Sequence, residues 1–394
     1  MKICAVIAEY NPFHNGHLKQ INYVKENLGC DKLLVIMSGN FTQRGENAVM
    51  DKFTRATHAI KAGADMVIEL PTVFATANAE IFATGAFKIL NDLNCVDKLC
   101  FGVESGTIAD YLSAAKAMLN ESKHLRQLIK EELETGVSHA KARFNAVKRA
   151  GIADLSEEII SSPNNILGLE YAKAKLKLSS PIELVPMLRT GDHNSTILLK
   201  GITSASSIRE QLKVKKVGKL KSNVPPFVFA DLPDTPYDFT PLFMAQIYKN
   251  SAEYLAQICD CTEGLENRIK ALTKDNTSLI SALDKITTKR YTYARVKRII
   301  TANLLGITEK LVFKALDGDL YCKILAVKES SKDMITYICN NSSIPVLTRK
   351  KDYADVKKIG LDALKKDELA NDLMNLVSGK KQNEYQMLVI PDNK

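Results

Sequence analysis

Two histidines three residues apart, His14 and His17, bracket Gly16 in the run Glu9-Tyr10-Asn11-Pro12-Phe13-His14-Asn15-Gly16-His17. The run follows an apolar segment of strand length, Ile3–Ala8. Near-helical apolar spacing comes after it, at Leu18, Ile21, Tyr23, Val24 and Leu28. A strand feeding a helix here puts the pair at a helix N-terminus, where unpaired N–H groups and the dipole attract anions. Two imidazoles at that place make a phosphate cradle. Gly16, having no side chain, lets a flat base approach the backbone. A second cluster, Ile202-Thr203-Ser204-Ala205-Ser206-Ser207-Ile208-Arg209, crowds hydroxyls and an Arg at the start of another helix. Ser206 or Ser207 is suited to cap that helix, and Arg209 to clamp a pyrophosphate. Three more polar stretches, MSGNFTQRG (37–45), FGVES (101–105) and SPNNILG (162–168), carry Asn and Gly able to donate to a ribose or a reacting carbonyl.

The elements that must position these groups alternate. Ile3–Ala8, 32–37, 65–70 and Lys98–Val103 read as buried strands, and 16–28, 51–62 and 77–93 as helices. Asp51 is suited to cap the second helix and Gly63 to stop it. The order predicts an α/β fold with a doubly wound parallel sheet, whose site lies beyond the carboxyl ends of the strands. Residues 109–155 read as mostly helical. A helix over 157–177 is interrupted at Ser161-Ser162-Pro163-Asn164-Asn165. A strand follows at 182–188 and a helix opens at 202–212. Lys-rich residues 213–224 and then Pro225, Pro226, Pro233, Pro236 and Pro241 mark a boundary. The chain therefore divides into an α/β domain, 1–212, and a mainly helical basic region, 213–394, with a small α/β tail.

The HxGH pattern resembles the HIGH-type nucleotidyltransferase and class I aminoacyl-tRNA synthetase superfamily, in which the two His hold the α- and β-phosphates of ATP. ITSASSIR (202–209) is similar to that superfamily's second phosphate motif. AEYNPFHNGH, MSGNFTQRG, ADMVIELP, FGVES and SPNNILGLEY, in this order, resemble the tRNA(Met) cytidine acetate ligase family. The resemblance covers the front domain and continues more loosely through Thr287-Thr288-Lys289-Arg290-Tyr291-Thr292 into the tail. It implies that ATP activates acetate to acetyl-adenylate with release of pyrophosphate. The acetyl group then passes to N4 of the wobble cytidine of elongator tRNA(Met), giving N4-acetylcytidine. It also implies ATP contacts at Ile7, Ala8, the run from Glu9 to His17, Leu18, Lys19, Gln20, Gly102, the Asn164-Asn165 pair, and Arg189 with Thr190 beside it. ATP enters as the magnesium complex, and no metal held by the protein is expected. Such chemistry needs stabilisation of charge on phosphorus rather than a protein nucleophile.

Charge supports a second partner. The formal net charge is +9, and residues 1–210 hold 24 Lys and Arg against 23 Asp and Glu, so nearly all of the excess lies behind them. Its densest run, KITTKRYTYARVKR (285–298), has six Lys or Arg, no acid and two Tyr. At helical spacing Lys289, Arg290, Arg295, Lys297 and Arg298 form a candidate track for tRNA phosphates, with Tyr291 or Tyr293 stacking on an unpaired base. A plain nucleotidyltransferase shares HxGH and ITSASSIR but needs no basic extension. A non-catalytic RNA-binding relative would not need His14, Gly16 and His17 intact. The 394 residues hold eight cysteines without a CxxC pair, expected as small apolar residues in a reducing compartment, and Cys259-Asp260-Cys261 is at best half a metal site. No apolar run approaches the ~20 residues that span a bilayer, and Ile3–Ala8 is too short for a signal peptide, so a cytoplasmic protein without a membrane partner is expected.

Overall fold

Strands covered on both faces read as unbroken apolar runs, and β1 (Ile3–Ala8) is such a strand. Ile3 and Ala5 enter the core on one face of the sheet, Cys4 and Val6 the core on the other. The computed structural model describes residues 1–119, 122–137, 139–151, 159, 162–189, 204–276 and 278–392. After β1 come α1 (Asn15–Asn27), β2 (Lys32–Ser38), a hairpin of β3 (Phe41–Thr42) and β4 (Glu46–Asn47), α2 (Lys52–Lys61) and β5 (Met66–Leu70). Then follow α3 (Ala79–Asp92), β6 (Lys98–Val103), α4 (Ile108–Leu119), α5 (Pro163–Lys177), β7 (Glu183–Leu188) and α6 (Ala205–Lys213). The basic half contributes α7 (Thr240–Lys249), α8 (Leu265–Lys274), α9 (Leu279–Ile286), α10 (Tyr293–Leu305), β8 (Cys322–Lys328), β9 (Val346–Leu347), α11 (Lys358–Ser378) and β10 (Leu388–Ile390). No helix among the described residues is long and apolar enough to cross a membrane.

The sheet order is β10-β8-β5-β2-β1-β6-β7, with β9 beside β8. From β1 the chain steps outward through β2 to β5, then returns to pair β6 with the other edge of β1. All these pairings are parallel, so the crevice where the order reverses opens at the carboxyl ends of β1 and β6. Helices α1, α2 and α6 cover one face, through Ile21, Val24, Phe53, Ala56, Ile208 and Leu212. Helices α3, α4 and α5 cover the other.

The strands of the tail do not stand apart. β8 adds antiparallel to β5 and carries β9 and β10 in parallel, so residues 322–390 complete the front sheet. A buried charge cluster accompanies the join. Lys52 on α2 pairs with Glu69 on β5 and with Glu384, both at 2.8 Å, and Lys323 on β8 pairs with Glu69 at 3.1 Å and with Glu384. Apolar residues of the basic half, among them Ile247, Val296 and Ile299, belong to the same core as β1 and α3.

Several local expectations change. Asp51 caps α2, accepting from the Thr54 N–H at 2.8 Å, and Gly63 ends it at φ +117°, as the residue types predict. After the interruption, Ser162 is the N-cap of α5 and Pro163 its first residue, where a missing N–H is harmless; Ser161 lies outside the described residues. Ser204, not Ser206 or Ser207, caps α6, accepting from the Ser207 N–H at 3.0 Å. The run 285–298 is not one helix. α9 ends at Ile286, and Thr292 opens α10 by accepting from the Arg295 N–H. Cys4 and Cys30 are disulfide-paired, with Cα atoms 5.8 Å apart, so these two are not isolated small residues.

One buried acid next to the cluster has a readable consequence. Asp367 on α11 accepts from the Thr72 N–H at 2.8 Å and from the Tyr321 hydroxyl at 2.5 Å. Burial, with repulsion from Glu69, pushes its carboxyl up to about 7. A carboxyl raised on folding binds more protons folded than unfolded, so its contribution is full at low pH and fades as pH rises through the folded value. Urea unfolding of Asp367→Asn and the parent should therefore show the parent losing stability relative to the variant between about pH 5 and pH 8. An unchanged difference across that window contradicts the assignment.

Candidate active site

The turn from β1 to α1 is tight. Tyr10 sits at φ +48°, unusual for a non-glycine residue, and the Asn11–Pro12 bond is cis. His14 is the N-cap of α1, and its Nδ1 accepts from the Gly16 N–H at 3.0 Å. The His14 N–H in turn donates to Nδ1 of His17 at 3.2 Å. The two imidazoles thus form a reciprocal cap and stack, with centroids 3.7 Å apart and planes inclined by 22°. Because both Nδ1 atoms accept, the proton of each neutral ring resides on Nε2, which makes Nε2–H the donor end. Gly16 has a more local reason than room for a base: a Cβ there would lie 2.8 Å from Cε1 of His14.

Arg55 on α2 positions this turn. It is fully buried, and its guanidinium donates to the carbonyls of Met50 (2.9 Å), Glu9 (2.7 Å), Ser38 (3.0 Å) and Gly39. Burial pushes it down to about 10, against the charges of Asp51, Glu9 and Glu69. Asn11 adds a second tie, its Oδ1 accepting from Val49 N–H at 2.9 Å while its carbonyl accepts from Arg209 at 2.9 Å. Glu9 accepts from the Gln43 N–H at 2.7 Å, and burial raises its carboxyl.

A cleft of about 580 Å³ opens over these groups. Gly102 lies on β6, the neighbour of β1, under the side chain of Arg189, where a Cβ would come within 2.7 Å of Arg189 Cδ. The adjacent asparagines separate. Asn164 lines the cleft and donates to Glu104 at 2.5 Å. Asn165 is buried and pins the end of β6, accepting from the Glu104 N–H at 2.8 Å. Arg44 and Arg209 both donate to the Ser206 hydroxyl at 3.2 Å. Glu46 joins Arg209 (3.4 Å) to Lys297 of α10. Burial pushes the Glu46 carboxyl up, but Lys297 and Arg209 outweigh it and hold the group below its usual range.

The cleft brings together Ile7 through Asn11, His14, Gly16, His17, Lys19, Gln20, Gly102, Asn164, Arg189, Ser206, Arg209 and, from the basic run, Lys297. Its lining does not include Pro12, Phe13, Asn15, Leu18, Asn165 or Ser207. The Ser207 hydroxyl is 2.9 Å from that of Ser204, inside the cap. Thr190 lies outside the described residues. Lys289 is exposed, Arg290 pairs with Glu263 at 2.9 Å, Arg295 donates to the Asp260 carbonyl at 2.8 Å, and Arg298 shares a small separate cavity with Asp260. Arg44 and Glu46 belong to a hairpin too short to leave a strand signal, and no local pattern marked Arg55. Among the described residues no group of three or more His, Cys, Asp or Glu is gathered to hold a metal.

Residues 1–387 match the family model described as HIGH Nucleotidyl Transferase. The chain is 36% identical over 384 residues to the tRNA(Met) cytidine acetate ligase of Thermoanaerobacter sp. strain X514, covering 95% of each. It is 35% identical over 393 residues to that of Clostridium acetobutylicum, covering 95% of this chain and 97% of the other. Among solved structures it is similar to Thermotoga maritima TmcAL bound with alpha-thio ATP, with a TM-score of 0.90, 27% identity and complete coverage of both chains.

The Arg55 arrangement is testable on its own. Lysine keeps the charge but cannot reach four carbonyls, so Arg55→Lys leaves buried acceptors unpaired. It should lower the urea unfolding free energy by about 2–4 kcal/mol. A loss below about 0.5 kcal/mol, the usual surface range, means the guanidinium is dispensable.

Proposed function

The chain belongs to the HIGH nucleotidyl transferase family, among the tRNA(Met) cytidine acetate ligases, and on that premise we propose how its cleft joins acetate to tRNA at the expense of ATP. An acetate oxygen attacks the α-phosphorus of ATP, forming acetyl-adenylate and expelling pyrophosphate. N4 of the wobble cytidine of elongator tRNA(Met) then attacks the acetyl carbon, loses a proton, and AMP departs.

His14 and His17 are the catalytic pair in this reading. Their Nε2–H ends and the start of α1 stabilise the charge that grows on the α-phosphate. Arg209 and Arg44, converging on Ser206, take the β- and γ-phosphates. Gly102, Asn164 and Arg189, which line the same cleft, take the nucleoside. Asn165 and Ser207 act behind them, fixing β6 and α6. Magnesium enters with the phosphates as part of the substrate and neutralises part of their charge. The whole reaction belongs in the cytoplasm, where its tRNA is.

The observation that carries the reading is that α1 of the sheet and α10 of the basic half line one cleft. An adenylate made at α1 is therefore within reach of an acceptor delivered along α10. The division at residues 212 and 213 is one of roles: activation before it, tRNA recognition through Lys289, Arg290, Arg295, Lys297 and Arg298 after it.

Acetate-dependent ATP–pyrophosphate exchange isolates the first step. His17→Ala should lose transition-state stabilisation of about 2–4 kcal/mol, as for a missing oxyanion donor. Exchange within threefold of the parent refutes the role. For the second step, Lys289→Ala/Arg290→Ala should bind tRNA more weakly, with each lost phosphate contact flattening log affinity against log salt by roughly 0.7–0.9. Binding that matches the parent across a salt series removes the basic region from recognition.

A further inference from the structure

Five Tyr and Phe rings line or border the cleft, and four of them, Tyr10, Phe82, Phe101 and Tyr171, are buried at 5% exposure or less. Tyr293 is different. It is the first residue of α10, is 42% exposed, and lines the cleft together with Ala294 and Lys297 on the same helix. The other aromatic of the basic run is not equivalent. Tyr291 donates its hydroxyl to the Glu263 carbonyl at 2.7 Å and packs against the core.

The helix that presents Tyr293 is fixed against the phosphate side of the cleft. The Thr301 hydroxyl donates to the Gly45 carbonyl at 3.0 Å. Gly45 sits at φ +69°, and a Cβ on it would collide with the backbone of Lys297 and Arg298, so the β3–β4 hairpin lies directly on α10. That hairpin carries Arg44 and Glu46, and Glu46 holds both Arg209 and Lys297. The Lys297 ammonium lies over one face of the Tyr293 ring, 5.3 Å from its centre. An accessible aromatic face beside a cation, on a rigid support, is the arrangement that holds an unpaired base and its phosphate.

We propose that Tyr293 is the stacking platform for the acceptor cytosine, holding the base at the cleft mouth with its N4 edge turned inward, and that Lys297 meets the phosphate of the same nucleotide. The proposal rests on the tRNA reading above and adds the residue that selects an unstacked base. A stacked ring restrains the base plane while leaving the exocyclic amine exposed to the acyl donor, which suits a weak amine nucleophile.

The test uses the full chain and an anticodon stem-loop RNA of tRNA(Met) with fluorescent pyrrolocytosine at the acceptor position. Stacking on tyrosine quenches that base. The parent and Tyr293→Phe should quench it and acetylate unmodified tRNA alike. Tyr293→Leu should lose the quenching, and its kcat/KM for transfer should fall by roughly 5–100-fold, the range seen when a base-stacking aromatic is removed. Equal urea unfolding midpoints for the three proteins exclude a folding defect as the cause. If Tyr293→Leu quenches and transfers like the parent while Lys289→Ala/Arg290→Ala weakens binding, the stacking role is wrong and the tRNA reading stands. If neither variant changes anything, both fall. If Tyr293→Phe fails along with Tyr293→Leu, the hydroxyl and not the ring is what matters, and stacking is again overturned.

Discussion

The guanidinium of Arg55 lies beneath the turns that end β1 and β2, bonded to the carbonyls of Glu9, Ser38, Gly39 and Met50. These two strands are parallel neighbours in register, Ala8 beside Met37, so their chains leave the sheet side by side with carbonyls that no further ladder can satisfy. One buried fork with five donors closes that deficit. Burial lowers its pKa to about 10, which still leaves it charged at neutral pH. Two parts of the cleft are referred to those turns. The first leads into His14, Gly16 and His17, and the second into the hairpin that carries Arg44 and Glu46.

The cleft is lined by five cations, and they do not stand uncompensated. Lys19, Arg44, Arg189, Arg209 and Lys297 line it, with Glu9 and Glu46 among them. Glu46 is shared between Arg209, from the end of the sheet domain, and Lys297, from the basic half. One carboxylate thus ties the two regions together at the place where phosphates are proposed to sit. The buried cluster of Lys52, Glu69, Lys323 and Glu384 does the same at the opposite side of β5. Removing one member of such a cluster strands a buried charge, which is why it specifies how the tail docks.

Much of this was legible in the residues because the forces involved are local. Strands covered on both faces appear as apolar runs, so β1, β2, β5 and β6 could be drawn within a residue or two. Asp51 declared the start of α2, and HxGH declared the strand-to-helix turn that His14 caps. What stayed hidden was non-local. The antiparallel addition of β8 to β5 joins residues more than 250 apart and leaves no trace in either segment. The charge run at 285–298 hid a loop and a Thr cap, since like charges carry no periodicity of their own. Arg55 and Glu46 were invisible for a related reason: their partners are backbone carbonyls and side chains that only the fold brings near.

In the proposed reaction the reacting phosphate rests on the start of α1, between the two Nε2–H groups, with the nucleoside at Gly102 and Asn164. A crystal structure with a non-hydrolysable acetyl-adenylate analogue, acetyl sulfamoyl adenosine, tests it most directly. The account predicts the sulfamoyl oxygens in hydrogen-bond reach of His14 or His17, the adenosine against the Gly102 wall, and the acetyl group facing Tyr293 and Lys297. An analogue bound in the reverse sense, or with its sulfamoyl group away from both histidines, contradicts it.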